Sequence, residues 1–223
     1  MDFQIDMRVA ELLASRLCHC LVGPIGAVNN GVELMADDAF GMSGDAMELV
    51  ANSARRAASA LQFYRLAYGM AGDRPGSDPS ELHDLAAGFL ATSKASLDWA
   101  VPRSLEGLPS GLGKLLLNMI ALAEEMLPRG GALSVALRDG PEQAEGGGWE
   151  ASVTASGDGA KLRAESELAL AETVAIEDLT PRNVQGYFTR LLAGRMGAGL
   201  AVDTPGPDRL RFVVTLSRSK GPA

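Results

Sequence analysis

Apolar residues at Leu13, Leu17, Leu21, Pro24, Val28 and Met35 recur at steps of three, four and seven. That spacing predicts one long amphipathic helix from about Asp6 to Ala36, with the stripe on a single face. ADDAFGMS, Ala36 to Ser43, breaks the pattern with turn-forming Asp and Gly. A second helix is expected from about Gly44 to Tyr68. It places Met47, Val50, Ala54, Ala57, Ala58, Leu61 and Tyr64 on its apolar side, and Ser53, Arg55, Arg56 and Ser59 on other faces. Helices of about 28 residues run to about 42 Å. Two of them cover only one side of each other, so the economical burial is a second copy. The expectation is a four-helix bundle formed by a homodimer, ahead of the alternative that the second domain folds back over the hairpin in a monomer.

After AGDRPGSDP, Ala71 to Pro79, which reads as a linker, the period shortens. A helix is expected over Ser80 to Thr92, started by Asp78-Pro79-Ser80, and a strand over Leu97 to Val101. A strongly apolar helix follows between Ser110 and Pro128. Strands Ala132 to Arg138 and Trp149 to Thr154 flank a loop, DGPEQAEGGG. A short helix near Ala164 to Ala171, a helix Asn183 to Arg195, and strands Leu200 to Asp203 and Arg209 to Ser217 complete the pattern. Ser219 to Ala223 reads as a tail. The fold class is therefore α+β: a helical hairpin over residues 1–72, then an α/β domain over residues 79–218.

The apolar fraction is 47%, enough for a sizeable core, and the net charge of −8 argues against nonspecific binding to nucleic acid or anionic membrane. No run of about 18 purely apolar residues suggests a membrane span, and the start, MDFQIDMRV, lacks the features of a secretory signal. Two cysteines fit a reduced, cytoplasmic chain. Cys18-His19-Cys20 is not a metal site, because helix neighbours one and two apart point in divergent directions.

His19 falls well off the apolar stripe when residues are placed about 100° apart. Ser15, Val22, Gly23, Gly26 and Asn30 share its side, so the imidazole stands on a flat face of small side chains. Mid-helix glycines cost about 1 kcal/mol each relative to Ala. Gly23, Gly26 and Gly31 therefore imply close approach, either by another molecule or by a neighbouring helix. A neutral imidazole is a good nucleophile near neutral pH. His83, with no partner motif beside it, reads as a surface residue.

His19 followed five positions later by Pro24, then by small and apolar residues, resembles the H-box of two-component histidine kinases. LLLNMIALAEEMLP, Leu115 to Pro128, resembles their N-box LLNLLxNAxKxTP, with Asn118 kept, Leu122 where a Mg²⁺-holding Asn would stand, and Glu125 at the basic position. SGDGAKLR, Ser156 to Arg163, replaces the D-x-G-x-G box, and PRNVQG, Pro181 to Gly186, replaces the G-x-G-L-G-L phosphate cradle. The whole chain is similar to the ChpT-type histidine phosphotransferases, which keep a kinase-like body without ATP binding. That resemblance implies a kinase-ATPase-like α/β sandwich and a phosphorelay. His19 would take phosphate from the receiver Asp of a hybrid histidine kinase and pass it to response regulators, a DNA-binding one among them. The receiver would supply Mg²⁺, and neither ATP nor any other cofactor would be bound.

Ser15, Arg16, Cys20, Val22, Gly23, Gly26 and Asn30 are the expected docking residues around His19. Lys161 and Arg163 could add a second contact with an acidic receiver, or be solvated charges. Cys20 departs from the family, which carries Glu or Asp directly after the His. A second class of function stays open on that account: a docking module that sequesters its partner without chemistry.

Overall fold

The structure is a computed structural model and describes residues 5–36, 43–70, 78–102, 108–139 and 148–217. The expected helix break at 37–42, most of the linker and the loop at 140–147 lie outside those residues. Two long helices, α1 (Met7–Ala36) and α2 (Ser43–Ala67), pack along each other. They are followed by α3 (Pro79–Leu90), β1 (Ala95–Ala100), α4 (Leu112–Glu124), β2 (Gly131–Asp139) and β3 (Gly148–Ser156). Then come α5 (Ala164–Leu170), a 3₁₀ turn (Ile176–Asp178), α6 (Val184–Arg195), β4 (Leu200–Gly206) and β5 (Arg209–Ser217). The class is α+β, as the periodicity implies.

The five strands form one mixed sheet in the order β1-β2-β3-β5-β4, parallel between β1 and β2 and antiparallel elsewhere. Alternation along β2, β3 and β5 buries Leu133, Val135, Leu137, Ala151, Val153, Ala155, Leu210, Phe212, Val214 and Leu216 on one face. Helix α4 lies against that face and touches α2, α3 and α6 as well. Every residue from Leu112 to Ala123 is accordingly buried, the pattern of a helix with no solvent side. Leu122 sits in this core at 1% exposure.

Sequence chemistry explains the local boundaries. Asp78 caps α3 by accepting the Ser80 N–H at 2.8 Å, and Pro79 occupies the first turn, where its missing N–H costs nothing. The SGDG segment is a tight turn: a Cβ at Gly157 would strike the Gly130 carbonyl, and Gly131 and Gly159 have φ of +147° and +75°. Asp158 pairs with Arg129 across it.

Hairpin and sheet module are stitched together by aromatic and polar contacts. Phe63 stacks on Phe89 of α3 at 4.1 Å, and Tyr64 meets both rings edge-on. Asn118, fully buried in α4, donates to the Ala67 carbonyl at the end of α2 (2.7 Å) and to Lys114 O (2.8 Å). It accepts from Gln185 Nε2 of α6 at 2.9 Å, and Tyr68 Oη donates to Gln185 Oε1 at 2.7 Å. Arg8, near the start of α1, donates to the carbonyls of Ile176, Glu177 and Leu179.

The long helices separate residues that the pattern alone had grouped. Along α2, Tyr64 is buried and Val50 and Ala57 are half-buried, but Met47, Ala54, Ala58 and Leu61 are exposed. Ser53, expected on an outer face, is buried at 8% exposure. On α1, Ile25 and Val32 are exposed. By length and apolar composition α1 could cross a bilayer. Here it lies along α2 and carries an ion pair to the sheet module.

Candidate functional site

His19 is exposed, and its ring has no hydrogen-bond partner among the described residues. Ser15, Val22, Gly23 and Asn30 are exposed around it and Gly26 is half-buried. The three α1 glycines divide into two kinds. A Cβ on Gly31 would come within 2.6 Å of Val50 Cγ2 and 3.2 Å of Ala46 O, so this glycine lets α2 approach. At Gly23 and Gly26 a Cβ would meet nothing within 4 Å. Their helix cost serves no packing against the described residues.

Arg16 and Cys20 face inward. The Arg16 side chain, 13% exposed, pairs with Glu125 at the end of α4 and donates to the Pro181 carbonyl at 3.4 Å. Cys20 Sγ lies 3.7 Å from Tyr64 Oη. Burial, reinforced by the neighbouring Tyr68 and opposed by Arg16, pushes the Tyr64 phenol above its ordinary range, and burial raises Tyr68 likewise. Burial also pushes the Glu125 carboxyl up to about 7 against the pull of Arg16. Together these residues form a floor beneath the turn that carries His19.

A cleft of about 750 Å³ opens beside His19, between the hairpin and the α3, β1 and α4 ends. Cys20, Gly23 and Pro24 line its α1 wall, Ser53, Arg56 and Tyr64 its α2 wall, and Phe89, Lys94 and Glu124 the far side. Burial raises the Glu124 carboxyl, with Arg16, Arg163 and Arg56 opposing it. Lys94, Glu124 and Ser53 were not legible as site residues, because the docking of the second module brings them to His19. No group of His, Cys, Asp and Glu able to hold a metal is present among the described residues.

Residues 79–208 match the family of histidine phosphotransferase C-terminal domains. The protein phosphotransferase ChpT of Brucella abortus (strain 2308) is 35% identical over 203 residues, 90% of this chain and 92% of its own. The chain belongs to the histidine phosphotransferase family. A solved bacterial phosphotransferase superposes with a TM-score of 0.79 at 30% identity, over 95% of this chain and 98% of its own.

In this histidine phosphotransferase, the segments that resemble degraded nucleotide boxes have internal partners. Asn183 Oδ1 accepts from Thr180 N at 2.7 Å, and Gln185 is wholly buried between Asn118 and Thr189. His83 packs against Trp99 and Asp84, half-buried. Lys161 and Arg163 are exposed.

Two expected results follow from the floor and the open face. Arg16→Met should destabilise by roughly 3 kcal/mol, the cost of leaving a buried charge unpaired. The loss should be larger at pH 8 than at pH 6. Because the folded protein holds the Glu125 proton more tightly than the unfolded chain, this carboxyl's own contribution is fully present below the ordinary carboxylate range. It fades as pH rises through about 7. Lowering the pH from 8 to 6 protonates a growing share of Glu125 and weakens the pair, so urea unfolding of wild type and variant at the two pH values checks the sign. Gly23→Ala and Gly26→Ala should each raise stability by about 0.5–1 kcal/mol. Thermal melting reads that gain, and receiver titration reads the cost in docking.

Proposed function

We propose that His19 is the phosphoacceptor of a phosphorelay, moving a phosphoryl group between the receiver Asp of a hybrid histidine kinase and the receiver Asp of response regulators. The observation that carries this reading is an exposed, unpartnered imidazole on a small-residue helix face at the mouth of a cleft. The unprotonated ring nitrogen attacks phosphorus. An N–P bond forms as the acyl-phosphate P–O bond breaks, and the electron pair leaves on the receiver carboxylate. The other ring nitrogen keeps its proton until solvent removes it. Transfer onward reverses the bonds. Such reactions depend on positioning and charge stabilisation, so the receiver's Mg²⁺ supplies charge, and Ser15, Val22, Gly23, Gly26 and Asn30 form the docking face.

The reading is of a transferase that uses no ATP. It is supported by Leu122 in the core and by Gln185 and Asn183 tied into internal hydrogen bonds at the positions compared with nucleotide boxes. Partners are hybrid-kinase receivers and response regulators, one of them DNA-binding, in the cytoplasm, with no direct contact to nucleic acid or membrane. The test is incubation with a pre-phosphorylated receiver domain. Acid-labile label on this chain is the expected result; receiver binding without any label would sink the chemistry. That second outcome would leave a sequestering module, a reading favoured only by Cys20, whose thiol contacts Tyr64 and supplies no acid beside His19.

The homodimer belongs to the same proposal. Ile25 and Val32 on α1, with Met47, Ala54 and Leu61 on α2, leave apolar faces uncovered in one chain, and a second hairpin would close them into a four-helix bundle. Light scattering should give twice the 23.3 kDa chain mass. The double variant Ile25→Glu/Leu61→Glu should give the single mass; a wild type already monomeric would end this part of the reading.

A further inference from the structure

The cleft beside His19 has a charge pattern that the transfer chemistry described above does not use. Of its charged lining residues, Arg16 is taken up by Glu125, whereas neither Arg56 nor Lys94 makes a side-chain ion pair or hydrogen bond among the described residues. Among the described residues lining it, Glu124 is the only acid. Two unpaired cations against one carboxylate is a local excess of positive charge, on a chain whose net charge is −8. Arg56 stands on α2 and Lys94 just before β1, so they come from opposite walls, with His19 on a third. Thr92 and Ser93 add hydroxyl groups next to Lys94.

We propose that Arg56 and Lys94 receive the phosphoryl group carried by His19, making this chain a contributor of charge to the reaction. The inference rests on His19 being the phosphoacceptor. A phosphoryl group on the imidazole carries close to two negative charges. In the partly enclosed cleft it is less hydrated than on an open helix, so cations fixed in advance act on it more strongly than they would in bulk water. Arg56 offers a planar donor fork for phosphate oxygens, and Lys94 a compact charge from the other side. Glu124 balances the pair when the cleft is empty, its carboxylate favoured by the charges of Arg16, Arg163 and Arg56. It would repel a bound dianion and so favour the group's departure to the next receiver.

The experiment removes the receiver. Phosphoramidate, a small phosphoryl donor, is reacted with the full-length protein; its P–N bond breaks as the His19 N–P bond forms, and the amine leaves as ammonia after protonation. Label at His19 should form in wild type, about tenfold more slowly in Arg56→Ala and in Lys94→Ala, a smaller loss than for a fully enclosed oxyanion donor. Arg56→Lys should recover part of the rate. Both side chains are exposed, so melting temperatures should stay at the wild-type value. Equal labelling in wild type and both alanine variants would overturn the inference while leaving His19 as acceptor. Slower transfer from a receiver with unchanged phosphoramidate labelling would overturn it too, making the two cations docking residues. No label on wild type would remove the phosphohistidine reading and this inference with it.

Discussion

His19→Gln should bring phosphoryl labelling down to background, while melting temperature and receiver binding stay at wild-type values. The imidazole is exposed and makes no hydrogen bond among the described residues, so its replacement costs the fold within about 0.5 kcal/mol. Glutamine fills a similar volume and keeps polarity, but its amide nitrogen has no lone pair available for attack. Loss of the nucleophile should exceed about 10³-fold in rate, since the second histidine, His83, is half-buried against Trp99. Of the two flanking thiols, Cys20 is half-buried against Tyr64 and Cys18 is exposed. Quantifying acid-labile label after reaction with a phosphorylated receiver, alongside calorimetric titration of that receiver, separates chemistry from docking. Label persisting at the wild-type level in His19→Gln would place the acceptor elsewhere.

The second large effect should be on stability. Asn118→Leu removes a side chain that serves three elements at once. Its amide caps the last turn of α2 through the Ala67 carbonyl, and its oxygen accepts from Gln185 of α6. A carbonyl at a helix end has no intrahelical partner, and burying it unsatisfied costs about 1–3 kcal/mol, whereas the Gln185 amide keeps the backbone carbonyl of residue 118 and Thr189 Oγ1 as acceptors. The expected loss is roughly 1–3 kcal/mol, a fall in melting temperature of about 2–12 °C for a chain of this size. The apolar replacement adds no cavity, so a shift below 2 °C would mean that water or a neighbouring group takes over the cap. Scanning calorimetry on the full chain decides it.

Periodicity carried the reading a long way where local rules suffice. The stripe through Leu13 and Pro24 is the buried side of α1, and the same wheel set His19 outside it. Asp78 and Pro79 announced the start of α3 before any contact was known. The wheel could not separate Gly31 from Gly23 and Gly26, because only the path of α2 decides which glycine faces a neighbour. Nor could it see Arg16 turned inward, since the partner, Glu125, lies 109 positions away. Glu125 looked like a lost cation site and is instead half of an ion pair; Asn118 looked like a kinase remnant and is a helix cap. Arg56 had been set on an outer face of α2, which becomes a cleft wall only once α3 and α4 dock. Each miss is a long-range contact, and each false grouping comes from a face shared by two different neighbours.

The clasp formed by Arg8 on three backbone carbonyls has a kinetic corollary. Arg8, Arg16, Asn118 and Gln185 tie the hairpin to the sheet module at well-separated points, so a receiver, the proposed partner, would meet walls already in place. Association then needs little rearrangement and should run in the ordinary range of roughly 10⁵–10⁷ M⁻¹s⁻¹ for pre-formed surfaces. Discrimination among receivers would lie in how long each one stays. A relay protein that serves several partners in turn would thus sort them by dwell time.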